Sequence, residues 1–279
     1  IAGLFIGKGG IVATKDNEDL LTIFINGSSR TYVRGDNTEI IAFPAEPPNE
    51  IFTGPLVVLT SRMSASASEI VAGALQDYGR AVIVGADHTF GKGSVQTLSK
   101  LPRDLGGMKV TTSMYFLPNG KSTQKIGVEA DVPLPNFFVF EDIGETTLEY
   151  PLPVQSIEPF IGLTGKEKRL WKPLDKSTLT LLALRSTSRV GKEPQFIDIV
   201  KNNKEAAAKK GVIRLADLRE EAEKEGGFKK QDTRSELRRK AKDQQAPFVN
   251  ESINVLMDMV ILAQDQSLRK IPQAGAASR

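Results

Sequence analysis

Two apolar runs of strand length flank an amphipathic helix, and this one stretch limits the fold more than any other part of the 279 residues. Pro55-Leu56-Val57-Val58-Leu59-Thr60 is a continuous apolar run, the pattern of a strand in a sheet covered on both faces. From Ser66 to Tyr78 the spacing changes to helical. Ala67, Ile70, Val71, Ala74, Leu75 and Tyr78 fall on one face, and Gly79 is placed to end the helix. Ala81-Val82-Ile83-Val84 is a second buried strand. Strand, helix, strand in this order is a βαβ unit with parallel strands, which sets the class as α/β. A loop from Gly85 to Gly93 follows, then strands over Val95 to Leu98 and Met108 to Leu117.

Before this unit, Gly9 to Thr14 and Leu20 to Ile25 read as strands, with Asn26-Gly27 as a turn and Pro44 to Asn49 as a Pro-rich connector. After it, Pro133, Pro135, Pro151, Pro153 and Pro159 mark a change of composition. The expected division is a core over 1–140, a linker over 141–160 and a mostly helical domain over 161–279. Within the last, residues 201–245 carry an excess of basic side chains. Asn250 to Leu262 is a final amphipathic helix, and Ile271 to Arg279 reads as a disordered tail. No run of about 18 apolar residues is apparent and no signal peptide. The chain starts at Ile1 and reads as a piece of something longer.

The residue inventory narrows the chemistry. There is no cysteine, which removes disulfides, zinc-thiolate sites and a thiol nucleophile, and the single histidine, His88, removes any site built from several histidines. Ser66 lies between the first buried strand and the helix. Taken alone, Ser66 with Glu69 reads first as a capping box, Ser-x-x-Glu. The same junction also permits a nucleophile, because the free N–H groups of a helix start stabilise an oxyanion. Serine needs a base. Lys92, in Thr89-Phe90-Gly91-Lys92-Gly93-Ser94, serves only if burial or positive potential lowers its pKa, and its two glycines let the backbone approach Ser66. Gly93 before Ser94 breaks the phosphate-loop pattern. Gln96 shares a face with Lys92 in an extended segment, a position from which it can orient the amine. His88 beside Asp87 is an alternative base whose default reading is a loop surface residue. Asp77, at the unfavourable C-terminal end of the helix, calls for a partner such as Arg80 or Lys92.

These residues together resemble the tail-specific proteases, or C-terminal processing peptidases. The resemblance is carried by Gly54 to Leu59, Ser64-Ala65-Ser66-Ala67-Ser68-Glu69-Ile70, Ala72 to Ala81, and Thr89 to Gln96. Asn119-Gly120, Ser122-Thr123-Gln124, Gly127-Val128 and Asp131 resemble closing core strands, and Pro247 to Ser252 a segment of the helical C-terminal domain of the long Gram-negative type. The resemblance implies Ser66 as nucleophile, Lys92 as base, Gln96 as its positioning residue, Asp77 in a supporting role and the Ala67 N–H as one oxyanion donor. It implies a Clp-protease/crotonase-like core, of which this is the C-terminal portion, followed by a helical domain. Protein substrates recognised by their C-terminal tails, a periplasmic location and no metal or organic cofactor are also implied. A PDZ domain and a glycine-rich segment giving the second oxyanion donor are expected upstream, and peripheral membrane association is left open. The loop before Lys92 is one residue longer than the common form, which a loop tolerates.

Two other classes stand beside this reading. One is a non-catalytic scaffold of the same fold whose serine only caps a helix. The other is a nucleic-acid-binding module using Lys209-Lys210, Lys229-Lys230 and Arg238-Arg239-Lys240. A net charge of only +3 and the interspersed Glu220, Glu221 and Glu223 favour a solvated helix face instead, with no nucleic-acid partner.

Overall fold

In the computed structural model, residues 1–7, 9–25, 28–32, 51–137, 143–161, 169–208, 215, 219 and 234–268 are described. The expected turn at Asn26-Gly27, the Pro44 to Asn49 connector, the basic pairs at 209–210 and 229–230 and the tail from Ile271 lie outside them.

The βαβ unit forms close to its expected bounds. Strand β4 is Val57–Thr60, helix α2 is Ala67–Asp77 and strand β5 is Val82–Gly85. The two strands are parallel, with Val57 opposite Val82 and Thr60 opposite Gly85. A two-residue strand, β8 (Val132–Pro133), extends the sheet on the other side of β5, also parallel. The order β4-β5-β8 puts β5 in the centre, and all four of its residues are buried. Strand β4 is an edge strand and is only half covered, with Leu59 still 42% exposed, so the expected burial of both faces holds for β5 and not for β4.

Alternation along β5 sorts the layers. Side chains of neighbouring strand residues point to opposite faces. Ile83 packs with Ala72 of α2, Leu117 and Val128 on one face. Val82 and Val84 face the other way, into a cluster with Leu182, Phe196, Ile199, Val255 and Met259. Those residues come from α3 (Lys176–Val190), α4 (Pro194–Ala208) and α5 (Arg234–Leu268), numbering the short Gly3–Ile6 helix α1. The sheet is therefore sandwiched between α2 and the C-terminal helices, with a separate apolar cluster on each face.

The last helix is longer than the expected Asn250 to Leu262 and runs through Pro247. Its Arg234–Gln264 stretch is long and apolar enough, by length and composition, to cross a membrane, which corrects the expectation of no such run. Here it is docked on α3. Arg189 holds Glu251 at 2.8 Å and Asp258 at 2.8 Å, and Arg185 holds Asp258 at 2.9 Å.

A second sheet supplies the floor beneath the Lys92 loop. Strands β1 (Gly10–Asp16), β2 (Leu21–Ile25), β3 (Ser28–Tyr32), β6 (Ser94–Lys100) and β7 (Gly107–Phe116) pair antiparallel in the order β3-β2-β1-β7-β6. Ala13, Ile23, Met114 and Phe116 join Phe160 in its core. Tyr115 of β7 is buried, and its amide donates to the carbonyl of Gly93, at 2.9 Å.

Candidate active site

Ser66 is the hinge between the β4 turn and α2, and its backbone is unusual. It has φ 57° and ψ −114°, a left-handed conformation that few residues other than glycine adopt. Such a conformation costs about 1–3 kcal/mol and persists only where the surroundings enforce it. Ser66 and Glu69 sit in the capping-box positions, and the Ser66 N–H donates to Glu69 Oε2 at 2.7 Å. Both halves of the box are in place, although the Ser66 hydroxyl makes no full cap hydrogen bond, and the Glu69 and Ile70 amides donate to the Ser66 carbonyl, at 2.9 and 3.0 Å. The Ala67 amide, next along, has no acceptor among the described residues, and Ala67 is exposed.

Lys92 is half-buried in the loop after β5. Its Nζ donates to the Ser94 carbonyl at 2.7 Å and to Ser94 Oγ at 3.0 Å. Burial lowers its pKa below the ordinary lysine range, opposed by the Glu145 carboxylate, assisted by the Lys109 charge and opposed again by Glu69. That is the direction a general base needs. No hydrogen bond joins the amine to Ser66; the two residues are brought together by their backbones. The flanking glycines are required for this. Gly91 has φ 87°, and a Cβ there would lie 2.9 Å from the Lys125 carbonyl carbon. A Cβ on Gly93 would lie 2.4 Å from Ser122 Oγ and 2.7 Å from the Gln124 amide.

The other expected residues fall elsewhere. Gln96 is exposed on β6, and its amide reaches Thr111 Oγ1 at 3.5 Å rather than Lys92. The β6–β7 register shifts between Val95 and Gln96, and such bulges twist the strands locally. In this arrangement Ser94, not Gln96, holds the amine. Asp77 pairs with neither Arg80 nor Lys92. It accepts from the Asn119 amide at 3.0 Å and from Asn119 Nδ2 at 2.8 Å, tying the C-terminal end of α2 to the turn before Lys121. Burial pushes its pKa up to about 6, against those two hydrogen bonds and the Lys121 charge. It lies about 16 Å along the helix from Ser66. Arg80 instead donates to the carbonyls of Phe5 and Phe52. His88 Nδ1 lies 2.6 Å from the Thr89 carbonyl and its Nε2 4.0 Å from Asp87, whose carboxylate is held by Arg62 at 2.6 Å.

Four further residues shape the site. Glu69, fully buried, accepts from the Thr89 hydroxyl at 2.5 Å and the Gly91 amide at 2.7 Å on Oε1, and from the Lys92 amide at 3.0 Å on Oε2. Tyr115 Oη donates to the Lys92 carbonyl, lies 3.3 Å from the Ser66 carbonyl, and accepts from Thr123 Oγ1 at 2.7 Å. Gln124 Oε1 accepts from the Gly93 amide at 2.9 Å, and Gln124 Nε2 donates to Glu145 at 3.0 Å. Glu69 carries a sequence signal as half of a capping box, and Gln124 as part of the family resemblance; Tyr115 and Glu145 carry none. Beside the site, an open cavity of about 510 Å³ is lined by Leu59, Met63, Ser64, Phe137 and Val249. A serine at a helix start, an amine of lowered pKa and a helix-start amide with no acceptor among the described residues are groups that can serve as a nucleophile, a base and an oxyanion donor.

The model for "Peptidase family S41" matches residues 1–134. A tail-specific protease of Haemophilus influenzae is 30% identical over 284 residues, covering 92% of this chain and 39% of its own. A carboxy-terminal-processing protease of Bartonella bacilliformis is 36% identical over 154 residues, covering 53% of this chain and 31% of its own. Among solved structures, a photosystem II D1 C-terminal processing protease is 36% identical over 48% of this chain and 29% of its own, with a TM-score of 0.36, an overlap that carries no argument about the fold. The chain thus spans less than half the length of the curated relatives it matches. The part of the chain similar to peptidase family S41, residues 1–134, holds both Ser66 and Lys92.

Proposed function

We propose that this chain carries the nucleophile and base of a serine endopeptidase, Ser66 and Lys92. The observation that carries the reading is Ser66 itself: a residue held at φ 57° at the junction of strand and helix. Capping alone does not require that strain, whereas a nucleophile presented at a sharp strand-to-helix turn uses it.

In this reading the neutral Lys92 amine leaves Ser94 and accepts the Ser66 proton as Oγ attacks the scissile carbonyl carbon. The negative charge that develops on the carbonyl oxygen is stabilised by the Ala67 N–H at the start of α2. Lys92, now protonated, gives its proton to the leaving amine, and the C–N bond breaks. A water then attacks the acyl ester, Lys92 takes its proton and returns one to Ser66 Oγ, and the acid product departs. Ser94 holds the amine between turnovers. Gln96, two residues further along β6, has an outer positioning role that requires its amide to leave Thr111. Asp77 supports the site through the Asn119 turn.

The wider reading proposes a Clp-protease/crotonase-like core followed by a helical C-terminal domain. It also proposes substrates bound by their C-terminal tails, a PDZ domain upstream in the full-length protein, and a periplasmic location in a Gram-negative cell. The test is Ser66→Ala in the full-length protein. Hydrolysis of a quenched fluorogenic protein substrate is expected to fall by at least about 10³-fold. Full activity in that variant would sink the reading and favour a scaffold.

A further inference from the structure

We propose that Glu69 is a positioning residue for the Ser66–Lys92 pair, setting the distance between the nucleophile and the base; the inference rests on the reading of those two residues just given. A capping-box glutamate ordinarily makes one hydrogen bond back to the cap and stays near solvent. Glu69 is 0% exposed and makes five hydrogen bonds of which only one is the cap's. Three come from the Lys92 loop, from the Thr89 hydroxyl, the Gly91 amide and the Lys92 amide, and a longer one comes from Tyr115 Oη at 3.4 Å. One oxygen, Oε2, accepts from the backbone N–H of Ser66 at 2.7 Å and from that of Lys92 at 3.0 Å. Residues 26 positions apart in sequence are thereby fastened to a single atom.

The chemistry of the donors fixes the state of the group. Five donors converge on two oxygens, an arrangement that only an acceptor-only, ionised carboxylate satisfies in full. Burial works against that charge and pushes the pKa up, while the bonds from Thr89, Gly91, Ser66 and Lys92 pull it down. An isolated helix cap gains nothing from burying a charge. A device that holds two loops in register does, because one rigid carboxylate receives the backbone amides of both. The bond to the Ser66 amide also explains how the strained backbone at Ser66 is maintained.

Lys92 is faced by Glu69 from α2, by Glu145 from the 3-10 turn at Glu145–Thr147, and by Lys109 and Tyr115 from β7. Of these, Glu69 alone is bonded to the Lys92 amide and carries charge that favours the protonated amine. Removing its charge without its shape therefore has a signature that a purely structural role lacks.

The experiment uses the full-length protein and a quenched fluorogenic peptide, with kcat, KM and pH profiles measured for Glu69→Gln and Glu69→Asp. Glutamine keeps the size but turns an N–H toward the Gly91 amide. About a tenfold loss in kcat is expected, with KM unchanged and the acid limb of the kcat profile moved to lower pH. Aspartate keeps the charge but is one methylene short of the Lys92 loop. About a hundredfold loss is expected, from misplacement of the base. Thermal melts show that each variant is folded. A folded Glu69→Gln with wild-type kcat and an unmoved acid limb overturns the inference. Ser66→Ala run in parallel separates the two levels. If it stays active the Ser66–Lys92 reading fails, whereas if it is dead and Glu69→Gln is normal only the role of Glu69 fails.

Discussion

At Ser66 the needs of the fold and of the site conflict, and the conflict is measurable. A glycine accepts φ 57° and ψ −114° freely, while serine does not. Glycine is also a fair N-cap, so little helix stability is lost on replacement. Ser66→Gly is therefore expected to raise the stability of the protein by about 1 kcal/mol while removing the proposed nucleophile. A thermal or urea melt checks this, and a variant less stable than the parent would show that the Ser66 backbone is not strained. Lys92 illustrates a second conflict. Burial of its stem lowers the amine pKa, yet Glu145 and Glu69 pull the other way. The amine is held between these influences by Ser94, which accepts from it through both a carbonyl and a hydroxyl oxygen.

At the scale of elements, α2 is anchored at both ends by carboxylates with different duties. Glu69 ties its start to the Lys92 loop, and Asp77 ties its end to Asn119. The Asp77 pKa is raised to about 6 from 3.8, so the folded protein binds that proton more tightly than the unfolded chain. Between about pH 4 and pH 6 the unfolded state carries fewer protons, and stability falls as pH rises through that window. Two units correspond to about 3 kcal/mol. Asp77→Asn lacks this slope. The stability difference between parent and variant, measured by urea melts, is expected to change by that order across the window and to level off above about pH 7. A parent and variant with parallel pH dependence would show that Asp77 is not buried in this way.

Legibility followed the range of the interactions. The βαβ unit was readable because both of its periods lie within a few residues: β5 came out at Val82–Gly85 against an expected 81–84, and α2 at Ala67–Asp77 against 66–78. Strand β8 is two residues long, too short to show any alternation. Ser66 and Lys92 are visible through local sequence, whereas the tight space that Gly91 and Gly93 leave for Lys125 and Ser122 is a long-range contact. Glu69 looks like an ordinary cap in sequence because three of its five donors come from residues 89–92, a contact no local pattern records. Tyr115 and Glu145 give no signal for the same reason, and Gln124 shows only through the family resemblance. Gln96 follows the alternation of β6, but its amide reaches Thr111 across the shifted β6–β7 register rather than Lys92.

Across the whole molecule, the site is held by two sheets and a layer of helices. The parallel sheet delivers Ser66 and Lys92 from the ends of β4 and β5, where ligands bind in open α/β sheets. The antiparallel sheet supplies Tyr115 and closes the Lys92 loop from below. Helices α3, α4 and α5 cover the opposite face of β5, and the Arg189–Glu251–Asp258 pairs fix α5 in place. In the proposed reading this frame presents Ser66 as a nucleophile activated by Lys92. Reaction of the full-length protein with a fluorophosphonate, followed by peptide mapping, tests it. A single adduct on Ser66 is expected, formed faster as pH rises through the lowered pKa of Lys92 and lost in Lys92→Ala. An adduct on another serine, or equal labelling of Lys92→Ala, would contradict it.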